Sequence, residues 1–214
     1  MLHTQRPEQM TETVFIVDDD EAVRDSLQWL LETEGYQVRC FADPEDFLSA
    51  VQWPQAAVLL LDIRMPGLSG LEVQKILKDR GIPIPTVFIT GHGDVTLAVE
   101  TMKAGALDFL EKPFDDTKIK SLIGQHMALA RELALSFKLD EHINRLYSKL
   151  TTRELQVLER IVSGRLNKQI ADDLNISIKT VEAHRANIMD KLQVTTVADL
   201  LKIALRKSPE LAQP

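Results

Sequence analysis

The sequence predicts an α/β protein in which a doubly wound, five-stranded parallel sheet precedes a smaller all-α domain of four helices. Three observations carry this reading. Short apolar runs alternate with helical patterns from Val14 to about Leu135, strand signals vanish after Leu150, and capping residues stand where the later helices must open.

The five strands are read at Val14–Val17, Tyr36–Phe41, Val58–Leu61, Val87–Ile89 and Ala106–Leu110. Four are continuously apolar, the pattern of parallel strands covered on both faces. Helices fall near 20–33, 43–50, 69–79 and 94–104, and a fifth opens near Asp115. In such a sheet the ligand site lies at the carboxyl ends of the strands. In the fifth helix, Ile123, Met127, Ala130, Ala134 and Phe137 step by 4 and 3, and a second series, Leu139, Ile143, Leu146 and Leu150, is out of phase with them. This predicts a helical connector with a phase break or bend near Lys138. A fifth helix on its own sheet followed by a mobile linker reads equally well, and the stripe can also pair two chains.

After Leu150, Thr151 and Glu154 have the spacing of a capping box, which opens a helix that Gly164 stops. Asn167 opens a second helix to about Leu174, Ser177 caps a third to about Leu192, and a fourth covers roughly Thr196 to Arg206. Residues from Ser208 read as a frayed tail.

With 214 residues and 44% hydrophobic content, the chain can bury one large core or two modest ones, which excludes wholesale disorder. No apolar run approaches the roughly 18 to 20 residues of a membrane span, and MLHTQRPEQM lacks the apolar stretch of a secretory signal, so a cytoplasmic chain with no membrane partner is expected. The lone Cys40 excludes an internal disulfide and reads as a small buried thiol. The formal net charge of -7 hides a division. Residues 1–147 carry 14 Lys and Arg against 24 Asp and Glu, whereas residues 148–214 carry 11 against 8. The acidic part should repel nucleic acid. The basic part can approach phosphates if its cations share a face, and is otherwise ordinary surface charge.

Asp18, Asp19 and Asp20 end the first strand, and Asp62 ends the third. With those strands adjacent, the carboxylates converge and repel one another unless a cation intervenes. Mg²⁺, which prefers oxygen ligands and keeps several waters, suits this edge. The acidic triple by itself reads equally well as helix N-capping. Thr90 ends the fourth strand and Lys112 follows the fifth, so a carboxylate nucleophile, a metal, a hydroxyl and an ammonium share one edge. That is a phosphoryl-transfer set. Asp62 can attack phosphorus to give an acyl phosphate, Mg²⁺ and Lys112 offset charge on the transferring oxygens, and Thr90 hydrogen-bonds one of them.

VDDDEAVR (17–24), LLLDIRMPGLSG (59–70), ITGHGD (89–94) and TMKAGALDFLEKPF (101–114) occur in order and resemble the receiver domain of two-component response regulators, a flavodoxin-like fold. The likeness covers essentially residues 13–130. It implies that Asp62 is the phosphoacceptor. Asp19 and Asp62 would ligate the metal, with Asp18 assisting and the Arg64 backbone carbonyl completing the set. Thr90 would be the switch hydroxyl, Lys112 the phosphate partner and Phe109 the aromatic switch, and a cis peptide is implied at Lys112–Pro113. Phe109 departs from the more frequent Tyr, and core packing alone also accounts for it. Gly91 stands where Ala is more usual, which should soften that loop. Met10 begins a stretch resembling a family N-terminus, so residues 1–9 read as an extension or an alternative start.

In the C-terminal part, a short helix, the Asn175-Ile176-Ser177 turn and a longer helix match helix-turn-helix geometry, with the second helix entering the major groove. Val181, Ile188, Met189 and Leu192 form its apolar side. Lys179, Thr180, Glu182, Ala183, Arg185 and Asn187 are then available outside, and Lys168, Lys179 and Lys191 suit phosphates. LTTRELQVLERIVSG, NKQIADDL and SIKTVEAHRANIMDKL resemble the LuxR-type output domain, and the whole chain is similar to response regulators of the NarL/FixJ family. His184 stands at a common His position of that family, as a phosphate contact or as a partly buried histidine holding the helix. Val197, Leu200, Leu201 and Ala204 form a stripe on the last helix that completes its own core or, as the resemblance implies, pairs two chains on two-fold sites.

The expected organisation is an N-terminal extension (1–12), a receiver (13–128), a helical linker (129–147), a LuxR-type helix-turn-helix domain (148–207) and a tail (208–214). The expected function is transcriptional, not enzymatic. A sensor histidine kinase phosphorylates Asp62 with Mg²⁺, and the chain then forms a homodimer that binds promoter DNA and meets RNA polymerase. Two rivals stand beside it. A Mg²⁺-dependent phosphatase with an aspartyl nucleophile wants a second acid two residues on, where Arg64 stands, and a receiver can carry helices that bind protein instead of DNA.

Overall fold

The computed structural model describes residues 11–91 and 108–208. The helix expected at 94–104, the first residues of the fifth strand run, most of the N-terminal extension and most of the tail lie outside the described residues. The chain divides into two compact units between Ser136 and Phe137.

In the first unit, strands β1 (Thr13–Val17), β2 (Gln37–Phe41), β3 (Ala57–Asp62), β4 (Thr86–Thr90) and β5 (Asp108–Glu111) form a five-stranded sheet among the described residues, in the order β2-β1-β3-β4-β5. Every neighbouring pair is parallel. Helices α1 (Glu21–Thr33), α2 (Pro44–Ala50) and α3 (Gly70–Asp79) alternate with the strands, and α4 (Asp116–Tyr147) follows β5. Side chains alternate across each strand. Val14, Ile16, Val58 and Leu60 pack with Leu27 and Leu31 of α1 and Ile123 and Met127 of α4. Phe15, Val17, Leu59 and Leu61 pack on the other face with Phe47 of α2 and Val73 and Leu77 of α3. The two edge strands are less covered than the central ones: no residue of β2 is fully buried, and on β5 only Leu110 is. Cys40 on β2 is half-buried, not fully buried as expected, and burial pushes its thiol up.

The phase break expected near Lys138 does not interrupt the helix: α4 runs from Asp116 to Tyr147. Ile119, Ile123, Met127, Ala130 and Ala134 are buried, as are Ile143 and Leu146 further on, while Leu139 is exposed. The phase shift in the sequence therefore changes which side of the helix is covered and leaves its backbone hydrogen bonds intact. Ala130 and Ala134 lie beyond the expected receiver limit at 128, yet they pack within the first unit.

The second unit contains α5 (Thr152–Val162), α6 (Asn167–Leu174), α7 (Ile178–Lys191) and α8 (Val197–Lys207). Thr151 and Glu154 form the expected capping box, and Ser177 and Thr196 cap α7 and α8. Asn175 adopts φ 52°, the left-handed conformation that ends α6 and turns the chain into α7. Val157, Leu158, Ile161, Ile170, Val181 and Ile188 build the core.

Candidate functional site

Strand register assembles the acidic pocket. Val17 pairs with Leu61, which brings Asp18 to the level of Asp62, and Asp62 pairs with Ile89, so Thr90 stands one residue further. Thr90 in turn pairs with Glu111, and the Lys112 N–H donates to the Thr90 carbonyl at 2.8 Å. Three ladders thus deliver Asp18, Asp62, Thr90 and Lys112 to one sheet edge.

The acidic triple divides between the two roles open to it. Asp20 caps α1 by accepting from the Ala22 N–H at 2.9 Å. Asp18 and Asp19 instead lie with Asp62, each offering a carboxylate oxygen within 4.8 Å of the others. Asp18 is 0% exposed and Asp62 6%. The Lys112 ammonium donates to Asp18 Oδ2 at 2.8 Å and stands 3.6 Å from Asp62 Oδ1. Burial pushes the Asp62 carboxyl up to about 6; Lys112 pulls against that rise, while Asp18 and Asp19 add to it. Burial works to lower Lys112, but the hydrogen bond to Asp18 and the charges of Asp62 and Asp18 outweigh it and leave the ammonium above its ordinary value.

Thr90 is buried, and its hydroxyl donates to the Gly91 carbonyl at 3.0 Å. Phe109 is 37% exposed, which corrects the core-packing alternative: on edge strand β5 its ring is only partly covered. The Lys112–Pro113 peptide is cis. Arg64, whose carbonyl was expected at the metal, lies two residues beyond Asp62 and is exposed.

Two contributors were missed in the sequence. A Cβ on Gly70, the first residue of α3, would lie 2.4 Å from the Asp62 carbonyl oxygen, so the glycine lets α3 seat against the Asp62 backbone. Its place in LSGL after the Asp62 loop was the available signal. Arg24 donates from Nη1 to the Asp18 carbonyl at 2.7 Å and ties α1 to the pocket.

On the second unit, Lys168, Lys179, Glu182, Ala183 and Asn187 are exposed, whereas Thr180, His184 and Arg185 are half-buried. The Thr180 hydroxyl lies 2.8 Å from Ser177 Oγ at the α7 cap. Lys191 corrects an expectation: its ammonium donates to both Glu154 carboxylate oxygens, at 2.9 and 2.7 Å, and is committed inside the unit. The expected pairing stripe is corrected too. Leu200 and Ala204 are buried in the unit's own core, because α8 must cover α5, while Leu201 is half-buried and Val197 is 42% exposed.

Residues 14–124 match the family model of the response regulator receiver domain, and residues 148–204 match that of bacterial regulatory proteins of the luxR family. The chain belongs to the NarL/FixJ family of response regulators. This response regulator is 42% identical over 193 residues to the transcriptional regulatory protein FixJ of Bradyrhizobium diazoefficiens, covering 90% of this chain and 94% of that one. It is 40% identical over 198 residues to the response regulator protein TodT of Pseudomonas putida, covering 92% and 87%. Among solved structures it is similar to response regulator StyR (TM-score 0.80, 43% identity, 91% of this chain and 98% of that one) and to full-length FixJ from B. japonicum (TM-score 0.56, 40% identity, 94% and 99%). The family is one of transcriptional regulators, not enzymes. Its receivers bind Mg²⁺ through acidic residues, and the donors here fit: three carboxylates converge, and one of them is held well above its ordinary value by burial and by the charges of the other two. No described helix is long and apolar enough to cross a membrane.

Proposed function

We propose that this response regulator acts in the cytoplasm, accepts a phosphoryl group on Asp62 from a sensor histidine kinase, and then dimerises and binds promoter DNA. The observation that carries the reading is the single ammonium of Lys112 placed between two buried carboxylates, 2.8 Å from Asp18 and 3.6 Å from Asp62. An Asp62 oxygen attacks phosphorus while the phosphorus–nitrogen bond of the donor phosphohistidine breaks, the electron pair leaving with the imidazole nitrogen. Lys112 is free to shift from the carboxylates toward the incoming phosphoryl oxygens. Asp18, Asp19, Asp62 and the Arg64 carbonyl would hold Mg²⁺, which supplies electrostatic stabilisation of the transferring oxygens.

The Thr90 hydroxyl exchanges the Gly91 carbonyl for a phosphoryl oxygen, and Phe109 moves inward as Thr90 turns. This two-state change biases the surface of β5, α4 and the helix expected at 94–104, which lies outside the described residues, and receivers pair through that surface. The receiver function belongs to residues 13–128 and DNA binding to 148–207, with 129–147 linking them. Lys168 and Lys179 contact phosphates, and Thr180, Glu182, Ala183, Arg185 and Asn187 face the groove. Of the α8 stripe, Val197 and Leu201 remain for pairing DNA-binding domains. RNA polymerase is the final partner.

Incubation with acetyl phosphate and Mg²⁺ tests the reading. Wild type should label stoichiometrically and Asp62→Asn not at all; equal labelling of the variant overturns the assignment.

A further inference from the structure

The second unit secures α7 at both ends from one turn of a neighbouring helix. Arg153 and Glu154 are consecutive residues in the first turn of α5. The Arg153 guanidinium donates to the carbonyl of Leu174, the last residue of α6, immediately before left-handed Asn175, and its other arm donates to Gln156 Oε1 at 2.8 Å. Helix C-termini leave such carbonyls without internal partners, so this contact stiffens the turn that aims α7. Glu154, 3% exposed, accepts from the Thr151 N–H at 2.8 Å and from Lys191, the last residue of α7, at 2.7 and 2.9 Å.

We infer that Arg153 and Glu154 are positioning residues for DNA recognition: they fix the angle of α7, so losing them costs sequence discrimination and not DNA contact. The inference rests on the reading that α7 meets DNA. Its 14 residues span about 21 Å at about 1.5 Å each. A pivot of about 10° at the Lys191 end therefore carries the Lys179 end about 3–4 Å, far beyond what a base-edge hydrogen bond tolerates. The apolar contacts of Val181, Ile188 and Leu192 are non-directional and permit such a pivot. A hydrogen-bonded ion pair opposes it. Such pairs add little net stability but can fix register.

The test uses the full-length chain treated with acetyl phosphate and two probes: a duplex that wild type selects from a randomised library, and a scrambled duplex of equal length. Glu154→Gln combined with Lys191→Met leaves the net charge unchanged, keeps the Thr151 capping spacing and strands no buried charge. This double variant should melt close to wild type and bind the scrambled duplex with unchanged affinity and salt slope. Its preference for the selected duplex should fall roughly tenfold or more. Lys191→Arg, which preserves the pair, should retain the preference. If the double variant melts early, Arg153→Lys carries the same test, because it leaves the ion pair intact and withdraws the contact with Leu174. Undiminished preference in a folded variant overturns the inference. So does a salt slope lower by about one ion with preference intact, since Lys191 would then be a phosphate contact. Failure of wild type to select any duplex would instead sink the DNA-binding reading, and this inference with it.

Discussion

The groups of the acidic pocket hang from strand ends, whereas the groups expected to meet DNA lie along the surface of one helix. Parallel ladders fix Asp62 and Thr90 directly and leave Asp18 and Lys112 one residue beyond a paired strand position, so positioning costs little sequence information. The cost is electrostatic, because the same ladders press carboxylates together out of water. On α7 the balance reverses. Lys179, Glu182, Ala183 and Asn187 on its outer side are exposed, but no ladder aims them; two side-chain contacts from α5 and a capped turn do so. One unit is positionally rigid and electrostatically strained, and the other is relaxed in charge and dependent on a few contacts for its aim.

The sharpest way to break this contrast is Lys112→Met. Asp18 would be left buried without its ammonium, and breaking such a pair costs about 3–5 kcal/mol. Urea unfolding of the metal-free protein near neutral pH should show a loss of that size. A midpoint unchanged from wild type would mean that the pocket's charges are solvated after all.

Asp62→Asn should do the opposite in metal-free protein. The folded Asp62 carboxyl sits at about 6, above the ordinary carboxylate range, so folding favours its protonated form. Its contribution to stability is full below the unfolded value near 4 and is lost as pH rises through about 6. Near neutral pH the asparagine variant should therefore be more stable by on the order of 3 kcal/mol, an advantage that disappears toward pH 4. Added Mg²⁺ should narrow the gap by stabilising wild type alone. A variant no more stable than wild type at neutral pH would show that the carboxylates do not strain the fold.

Gly70→Ala should cost less. The added Cβ meets the Asp62 carbonyl at 2.4 Å and Phe88 Cε1 at 3.1 Å, and overpacking of this kind typically costs about 1–3 kcal/mol. Because the clash falls on the Asp62 backbone, the rate of labelling by acetyl phosphate should drop together with the melting temperature. A drop in melting temperature with labelling unchanged would place the strain in α3 alone.

These residues also mark what the sequence made legible. Strand runs, caps and pocket positions were readable because they depend on local periodicity and on one topological rule, that ligands gather at the carboxyl edge of a parallel sheet. The Glu154–Lys191 pair was not readable: its members lie 37 positions apart, and an exposed-looking lysine at a helix end carries no local sign of a partner. The α8 stripe was ambiguous for a related reason. Leu200 and Ala204 have the same periodicity whether a helix covers its own core or a second chain, and only packing separates the two. The phase shift in α4 signalled a change in which residues are covered, which periodicity alone does not distinguish from the end of a helix.

The smallest effect expected, and the one that sets the two units most directly against each other, is the response to mild acid. In Glu154 burial favours the neutral acid, but the hydrogen bonds from Lys191 and Thr151 outweigh it and hold the carboxyl below its ordinary value. Its stabilisation is therefore present above the unfolded glutamate range and is lost as pH falls through the lower folded value. Between about pH 6 and pH 4, metal-free first unit should gain stability as Asp62 protonates, while the second should stay level and then begin to weaken. Both tryptophans, Trp29 and Trp53, lie in the first unit, so their fluorescence follows it alone, while helical ellipticity follows both units. On acidification the fluorescence midpoint in urea should move up and the remaining ellipticity change should not. Midpoints moving together would mean that the charges of the two units are not set by the separate local partners described above.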